Sequence, residues 1–175
     1  MRDPTTHDNR VTVRSVCVML ERKMMINKLR GFQGNNWTPF HAASIPTVGI
    51  QQYLCRFLQY ARANEEQLVS SLIYLERFLE NSESSLDVLS VHRLALIALV
   101  TACKYTNDNP YNNSFYARIG GLPVPELNSL ELVFLSSLQF ELYIHPKTYQ
   151  QSYDRLVGLS SKMNTTYYCY ETDKA

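Results

Sequence analysis

Between Ile50 and Leu156 the apolar positions fall at helical spacing in block after block, and short polar stretches separate the blocks. Ile50, Tyr53, Leu54, Phe57, Leu58 and Ala61 alternate steps of three and one. This gathers them on one helical face, with Gln51, Gln52, Arg56 and Gln59 on the other. Asn64 followed three residues later by Gln67 has the form of a capping box. Leu68, Leu72, Leu75 and Leu79 then repeat at steps of 4, 3 and 4 until NSESS ends the pattern. The next block, VHRLALIALVTACKY, has Ser90 available as an N-cap and is apolar all the way round through its middle. Such a helix must be surrounded by other helices in water, so it is expected to be the buried axis of the domain.

NNSFYARIGG predicts one short helix, with Asn and Ser able to cap its start and Gly120-Gly121 to stop it. After LPVP, Pro125 suits a first helical position, and Leu127, Leu130, Phe134 and Leu138 repeat at steps of 3, 4 and 4. HPKTYQQSYDRLVGL predicts a last amphipathic helix with Pro146 near its start and Gly158 near its end. The polar, tyrosine-rich SSKMNTTYYCYETDKA beyond it is expected to be weakly ordered or docked on the surface. Upstream, residues 11–30 carry Val16, Leu20 and Met24, with Ile26 or Leu29, at roughly helical spacing among Arg22, Lys23, Lys28 and Arg30. That pattern predicts a peripheral helix. GFQGNNWTPFHAASIP reads as an irregular linker, so the main domain is expected to begin near Ile45. No segment alternates with a period of two. The fold class is therefore all-α, with an amino-terminal helix and linker in 1–44, a helical core domain in 45–145 and a carboxy-terminal helix and tail in 146–175.

With 175 residues, 45% of them hydrophobic, the chain can bury one proper core. Its net charge of +1, from 17 basic and 16 acidic residues, provides no global field to gather nucleic acid or acidic lipid. MRDPTTHDNR lacks the apolar centre of a secretory signal, and the longest apolar stretch, Leu94 to Cys103, falls short of the ~18 residues that span a bilayer. The expectation is a soluble intracellular protein, cytoplasmic or nuclear, with neither nucleic acid nor membrane as partner. Cys17, Cys55, Cys103 and Cys169 are scattered without a C-x-x-C pair, which predicts reduced thiols.

Catalysis would need a nucleophile with a base, a metal cluster or a phosphate loop. His7, His41, His92 and His145 are dispersed, and Gly120-Gly121 ends a helix where a phosphate loop would need a preceding strand and a following Lys-Ser/Thr. Glu76 beside Arg77 reads as a structural ion pair. No catalytic residue, metal site or cofactor is expected. Two charged residues stand out: Lys104 closes the axial helix, and Glu131 interrupts the apolar face in LNSLELVFLSSL. Either Lys104 complements its helix dipole and snorkels while Glu131 is simply exposed, or the two form a polar pair that grips another protein's backbone. Periodicity leaves both open.

The segments IPTVGIQQYLCRFLQYARANEEQLVSSLIYLERFL, VHRLALIALVTACKYTND and YNNSFYARIGGLPVPELNSLELVFLSSLQFEL resemble, in order and spacing, the cyclin box of the P/U-type, phosphate-regulon cyclins. The resemblance covers Ile45 to Leu156. It implies a five-helix box around a central third helix. It also implies a non-catalytic regulatory subunit that binds and activates a cyclin-dependent Ser/Thr protein kinase by positioning the kinase αC helix. Lys104 and Glu131 match the family's lysine and glutamate that bond the kinase backbone, the donor-only ammonium to carbonyls and the acceptor-only carboxylate to amides. Leu135, Phe140 and Leu142 match apolar positions that pack on the same kinase helix.

The sequence departs from cell-cycle cyclins in three places. Those proteins pair a buried arginine with an aspartate where Thr47 and Glu76 stand here, so Arg77 or backbone amides are expected to meet the charge of Glu76. PTVGIQQY offers Pro46, Gly49 and Tyr53 where they carry an R-x-L groove, so R-x-L docking is not expected. The stretch after His145 is too short for a second box. The alternative is a cyclin-fold module that binds transcription machinery, DNA or peptides, its DNA version weakened by the near-neutral charge.

Overall fold

Every side chain from Leu94 to Cys103 is buried, which an α-helix achieves only inside a ring of other helices. That helix, α4 (Val91–Thr106), is the axis of the molecule. The computed structural model describes residues 9–29, 37–82 and 84–171, with side chains for 11–29, 37–82 and 84–159. Around α4 stand α2 (Ile50–Ala61), α3 (Glu65–Asn81), α5 (Asn113–Gly120) and α6 (Val124–Ser137). Two longer helices, α1 (Asn9–Leu29) and α7 (Pro146–Glu171), flank them. No strand occurs among the described residues, as the all-α reading requires. α4 packs most extensively against α3 and also meets α2, α5 and α6.

Local chemistry sets most of the boundaries. The Asn64 side chain accepts from the Glu66 N–H at 2.8 Å, and Gln67 Oε1 accepts from the Asn64 N–H at 2.9 Å, completing the expected capping box. Asn112 Oδ1 caps α5 through the Phe115 N–H at 3.0 Å, and Gly121 ends the helix in the left-handed conformation at φ 70°. A β-carbon on Gly120 would lie 2.4 Å from a methyl of Leu96, so only glycine lets α5 approach α4 this closely. Ser90, the expected cap of α4, makes no capping bond with its side chain. Asp87 takes over: its Oδ1 accepts from the N–H groups of Leu89 and Ser90 at 2.8 and 2.9 Å, and Ser90 Oγ accepts from the Asp87 N–H at 3.0 Å. A carboxylate also suits the positive end of the helix dipole better than a hydroxyl does.

Three segments differ from their sequence reading. The linker is anchored, because Phe40 is fully buried with its ring edge-on to Phe78 at 5.0 Å and to Phe134 at 6.4 Å. Beside it His41 Nδ1 accepts from the Thr38 N–H at 3.0 Å, its Nε2 donates to Asp87 Oδ2 at 3.1 Å, and the Ala42 N–H donates to the Leu89 carbonyl at 2.9 Å. The helix read as peripheral inserts its first turns into the core: Val13, Val16, Cys17 and Leu20 are buried, whereas Met25, Ile26 and Leu29 face outward. Thr12 Oγ1 donates to Glu65 Oε1 at 2.6 Å, and Asn27 Nδ2 to the Leu86 carbonyl at 3.1 Å, pinning α1 near both ends. Finally, α7 runs through Gly158 to Glu171, where the sequence reading ended it near Gly158. An exposed glycine inside a helix costs about 1 kcal/mol, which packing along α1 and α3 can offset. The side chains of the tyrosine-rich tail, with Cys169, lie outside the described residues. Cys17, Cys55 and Cys103 are free thiols, and burial pushes Cys17 and Cys103 up to about 12.

Candidate protein-docking site

The last turn of α4 carries Lys104 to the surface beside the middle of α6. There its Nζ donates to both oxygens of Glu131, at 2.6 Å to Oε1 and 2.8 Å to Oε2. The Glu131 side chain is 13% exposed and that of Lys104 30%, so the pair is half sheltered from water. Glu131 is therefore not simply exposed, and Lys104 does not merely snorkel. Asn113, the first residue of α5, adds a third donor through Nδ2 to Glu131 Oε2 at 2.9 Å and also reaches Asn128 Oδ1 at 2.7 Å. Ammonium-to-carboxylate bonds of this length are the stronger kind, and the short polar side chain on α5 completes the shell.

The apolar half of the site follows along α6. Leu127, Leu130 and Phe134 turn into the core. Asn128, Glu131, Leu132 and Leu135, at steps of 3, 1 and 3, form an adjoining stripe that is exposed or half-buried. After Ser137 the chain reverses through Gln139 and Phe140, both at positive φ (53° and 59°), with the Phe140 N–H donating to the Leu135 carbonyl at 2.9 Å. Two successive non-glycine residues in the left-handed region cost on the order of 1–3 kcal/mol each. The outcome is that Phe140 stands 62% exposed, a large apolar side chain held in water by its own backbone. The following segment is fastened to α3. Tyr74 Oη donates to the Leu142 carbonyl at 2.7 Å, and both Nη atoms of Arg77 donate to the Tyr143 carbonyl at 3.1 Å.

All five predicted site residues thus lie on α4, α6 and the segment just after α6, with Leu135 and Leu142 half-buried. Sequence reasoning missed Asn113, and it missed the exposed Leu132, Tyr143 and Tyr105 on the same elements (60%, 58% and 51%). A signal existed: LNSLELVFL holds more apolar residues than one buried stripe can use. Glu76 is met neither by Arg77 nor by backbone amides. Arg155 of α7, 79 positions away, forks onto it at 2.8 and 3.2 Å, while Arg77 braces the Phe140 segment instead. Thr47 is exposed before α2. Where an R-x-L groove would lie, Tyr53 Oη donates to the Gly120 carbonyl at 3.0 Å and Arg56 to the Ile119 carbonyl at 2.8 Å, tying α2 to α5. His92 donates from Nε2 to the Val48 carbonyl at 2.8 Å, and burial lowers its pKa. Among the described residues no group of three or more His, Cys, Asp or Glu could hold a metal ion, and no helix is long and apolar enough to cross a membrane.

Comparison with known proteins decides the family, because the cyclin family model matches residues 10–142. The chain belongs to the cyclin family. The match takes in α1 from its second residue and ends at Leu142, so it contains all five predicted site residues. Cyclin-U4-1 of Arabidopsis thaliana is 37% identical over 142 residues, covering 79% of this chain and 70% of that protein. Cyclin-P3-1 of Oryza sativa subsp. japonica is 39% identical over 112 residues, covering 64% of this chain and 48% of that protein. PHO85 cyclin-like protein psl1 of Schizosaccharomyces pombe is 37% identical over 121 residues, covering 68% and 50% respectively. The chain spans about half the length of most of these relatives. These likenesses make it a P/U-type cyclin.

Proposed function

We propose that this cyclin binds and activates a cyclin-dependent Ser/Thr protein kinase through the face formed by α4, α6 and the Phe140 segment. The observation that carries the reading is Phe140, held outward by a strained backbone just past the end of α6, the helix that carries Glu131 and its preformed pair with Lys104. Phe140, Leu135 and Leu142, joined by Leu132, provide the apolar centre against the kinase αC helix. Lys104 has donated two of its three N–H groups to Glu131 and keeps one for a backbone carbonyl, and Glu131 Oε1 retains capacity for a backbone N–H. The kinase αC helix is held inward, which brings its glutamate to the ATP-anchoring lysine. Moving a kinase from about 1% to about 99% active takes ~5.5 kcal/mol of differential binding, within reach of an interface of ~800 Å² per partner. The phosphoryl transfer itself is carried out by the kinase.

The test mixes the full chain with a panel of purified cyclin-dependent kinase catalytic subunits and measures affinity and peptide phosphorylation. Activation of one subunit, lost about 10- to 150-fold in affinity in Lys104→Ala or Glu131→Ala, is the expected result. If no subunit is bound or activated, and native extract yields polymerase components on the immobilised chain, the protein is instead a cyclin-fold module of the transcription machinery.

A further inference from the structure

The Lys104–Glu131 pair is completed by a side chain to which the cyclin resemblance gives no role. Asn113 Nδ2 donates to Glu131 Oε2 at 2.9 Å and to Asn128 Oδ1 at 2.7 Å. Glu131 sets this orientation of the amide, since turning it over would set its carbonyl oxygen against a carboxylate oxygen that can only accept. It comes at a cost, because Asn113 Oδ1 is then enclosed and without a hydrogen-bond partner. The amide is oriented by what Glu131 needs and leaves its own carbonyl unsatisfied. The effect on Glu131 is directional. Oε2 receives both Lys104 and Asn113, whereas Oε1 receives Lys104 alone. Asn113 thereby fills one oxygen and leaves the remaining acceptor capacity on the other.

We propose that Asn113 is a positioning residue of the docking site: by occupying Oε2 it fixes the carboxylate plane of Glu131 and presents Oε1 to a backbone N–H of the kinase. Asn128 holds Asn113 in turn. The inference rests on the kinase-docking reading above and deepens it. It also makes the site depend on three helices, because Asn113 begins α5, Lys104 ends α4 and Glu131 lies on α6.

Asn113→Ala and Asn113→Asp in the full chain test it, against the purified kinase subunit that the unaltered chain activates. Loss of one charge-assisted bond should weaken binding about tenfold in the Ala variant. Aspartate has the same shape and gains from the helix dipole in the first turn of α5, but it faces the half-buried Glu131 carboxylate, so the melting temperature should fall modestly. It cannot donate at neutral pH and it repels Glu131, so kinase affinity should fall further than with alanine. A merely structural asparagine would instead show affinity following the melting temperature. In a Glu131→Gln background, Asn113→Ala should change affinity by less than about twofold, since the two act as one unit. The inference falls if both Asn113 variants bind within about twofold of the unaltered chain while Glu131→Ala does not, an outcome that leaves the docking reading standing. It also falls if affinity and melting temperature decline in step in both variants. If Glu131→Ala too binds normally, the docking reading fails with it.

Discussion

At the scale of single residues, the docking site couples stability and binding with different signs at different positions. Lys104 and Glu131 are not equivalent, because Glu131 is the more sheltered partner, at 13% exposure against 30%. Removing Lys104 leaves a half-enclosed carboxylate with one amide donor, whereas removing Glu131 leaves an ammonium that can turn to water. Lys104→Ala is therefore expected to cost about 1–3 kcal/mol of fold stability, and Glu131→Ala less than about 1 kcal/mol. Chemical denaturation of both variants checks the asymmetry; equal losses would mean that the pair is shared evenly. Phe140 gives the reverse coupling. At φ 59° a glycine is unstrained, so Phe140→Gly should leave the melting temperature level or higher while kinase affinity collapses. A variant that melted several degrees lower would show that Phe140 packs in the fold and is not held out for a partner.

At the scale of elements, the sequence made legible whatever depends on neighbours a few positions apart. The apolar stripe of α2, the Asn64–Gln67 capping box and the all-round apolar middle of α4 are each contained in one stretch of chain, and each is found. What depends on distant partners was not legible. Phe40 sits in a Gly- and Asn-rich stretch and gives no periodic signal, yet its buried ring packs edge-on against the stacked rings of Phe78 and Phe134. Arg155 meets Glu76 across 79 positions, and no local rule selects it over the adjacent Arg77. The docking pair itself was half legible: Lys104 and Glu131 stood out as misplaced charges, but that they meet, and that Asn113 joins them, is a matter of how α4, α5 and α6 cross. The same limit applies to α1: the stripe of Val16, Leu20 and Met24 is found packed on the core, but the depth of its first turns, set by partners far along the chain, does not show in the spacing. Because Leu20 is only 2% exposed, Leu20→Ala should cost about 2–5 kcal/mol in urea unfolding. A truly peripheral helix would lose less than about 1 kcal/mol. Serines in place of the outward Met25, Ile26 and Leu29 should leave stability unchanged, and any loss of kinase affinity they caused would extend the docking face onto α1.

At the scale of the whole molecule, the ring of helices encloses ionisable groups that are neutral only while the core is closed. Burial pushes the phenols of Tyr53, Tyr74 and Tyr116 well above their ordinary value, and the thiols of Cys17 and Cys103 up to about 12. Tyr74, Tyr116 and Cys103 have no exposed surface, and the last two face each other between α4 and α5. In the unfolded chain the thiols release their protons near 9 and the phenols near 10. Above those values the folded state holds more protons than the unfolded state, so unfolding stability falls as pH rises. The thiols contribute their full stability below about pH 9 and lose it progressively on the way to about pH 12, and the phenols lose theirs from about pH 10 upward. The core is one cluster, so the loss should be cooperative, with far-UV helix signal and the last phenolate absorbance changing together between pH 9 and 12. A thiol reagent at pH 8 should likewise spare Cys17 and Cys103 until denaturant is added. Full phenolate absorbance at pH 12 with the helix signal intact would show that these side chains titrate without opening the box, and that the ring around α4 admits water far more readily than its packing implies.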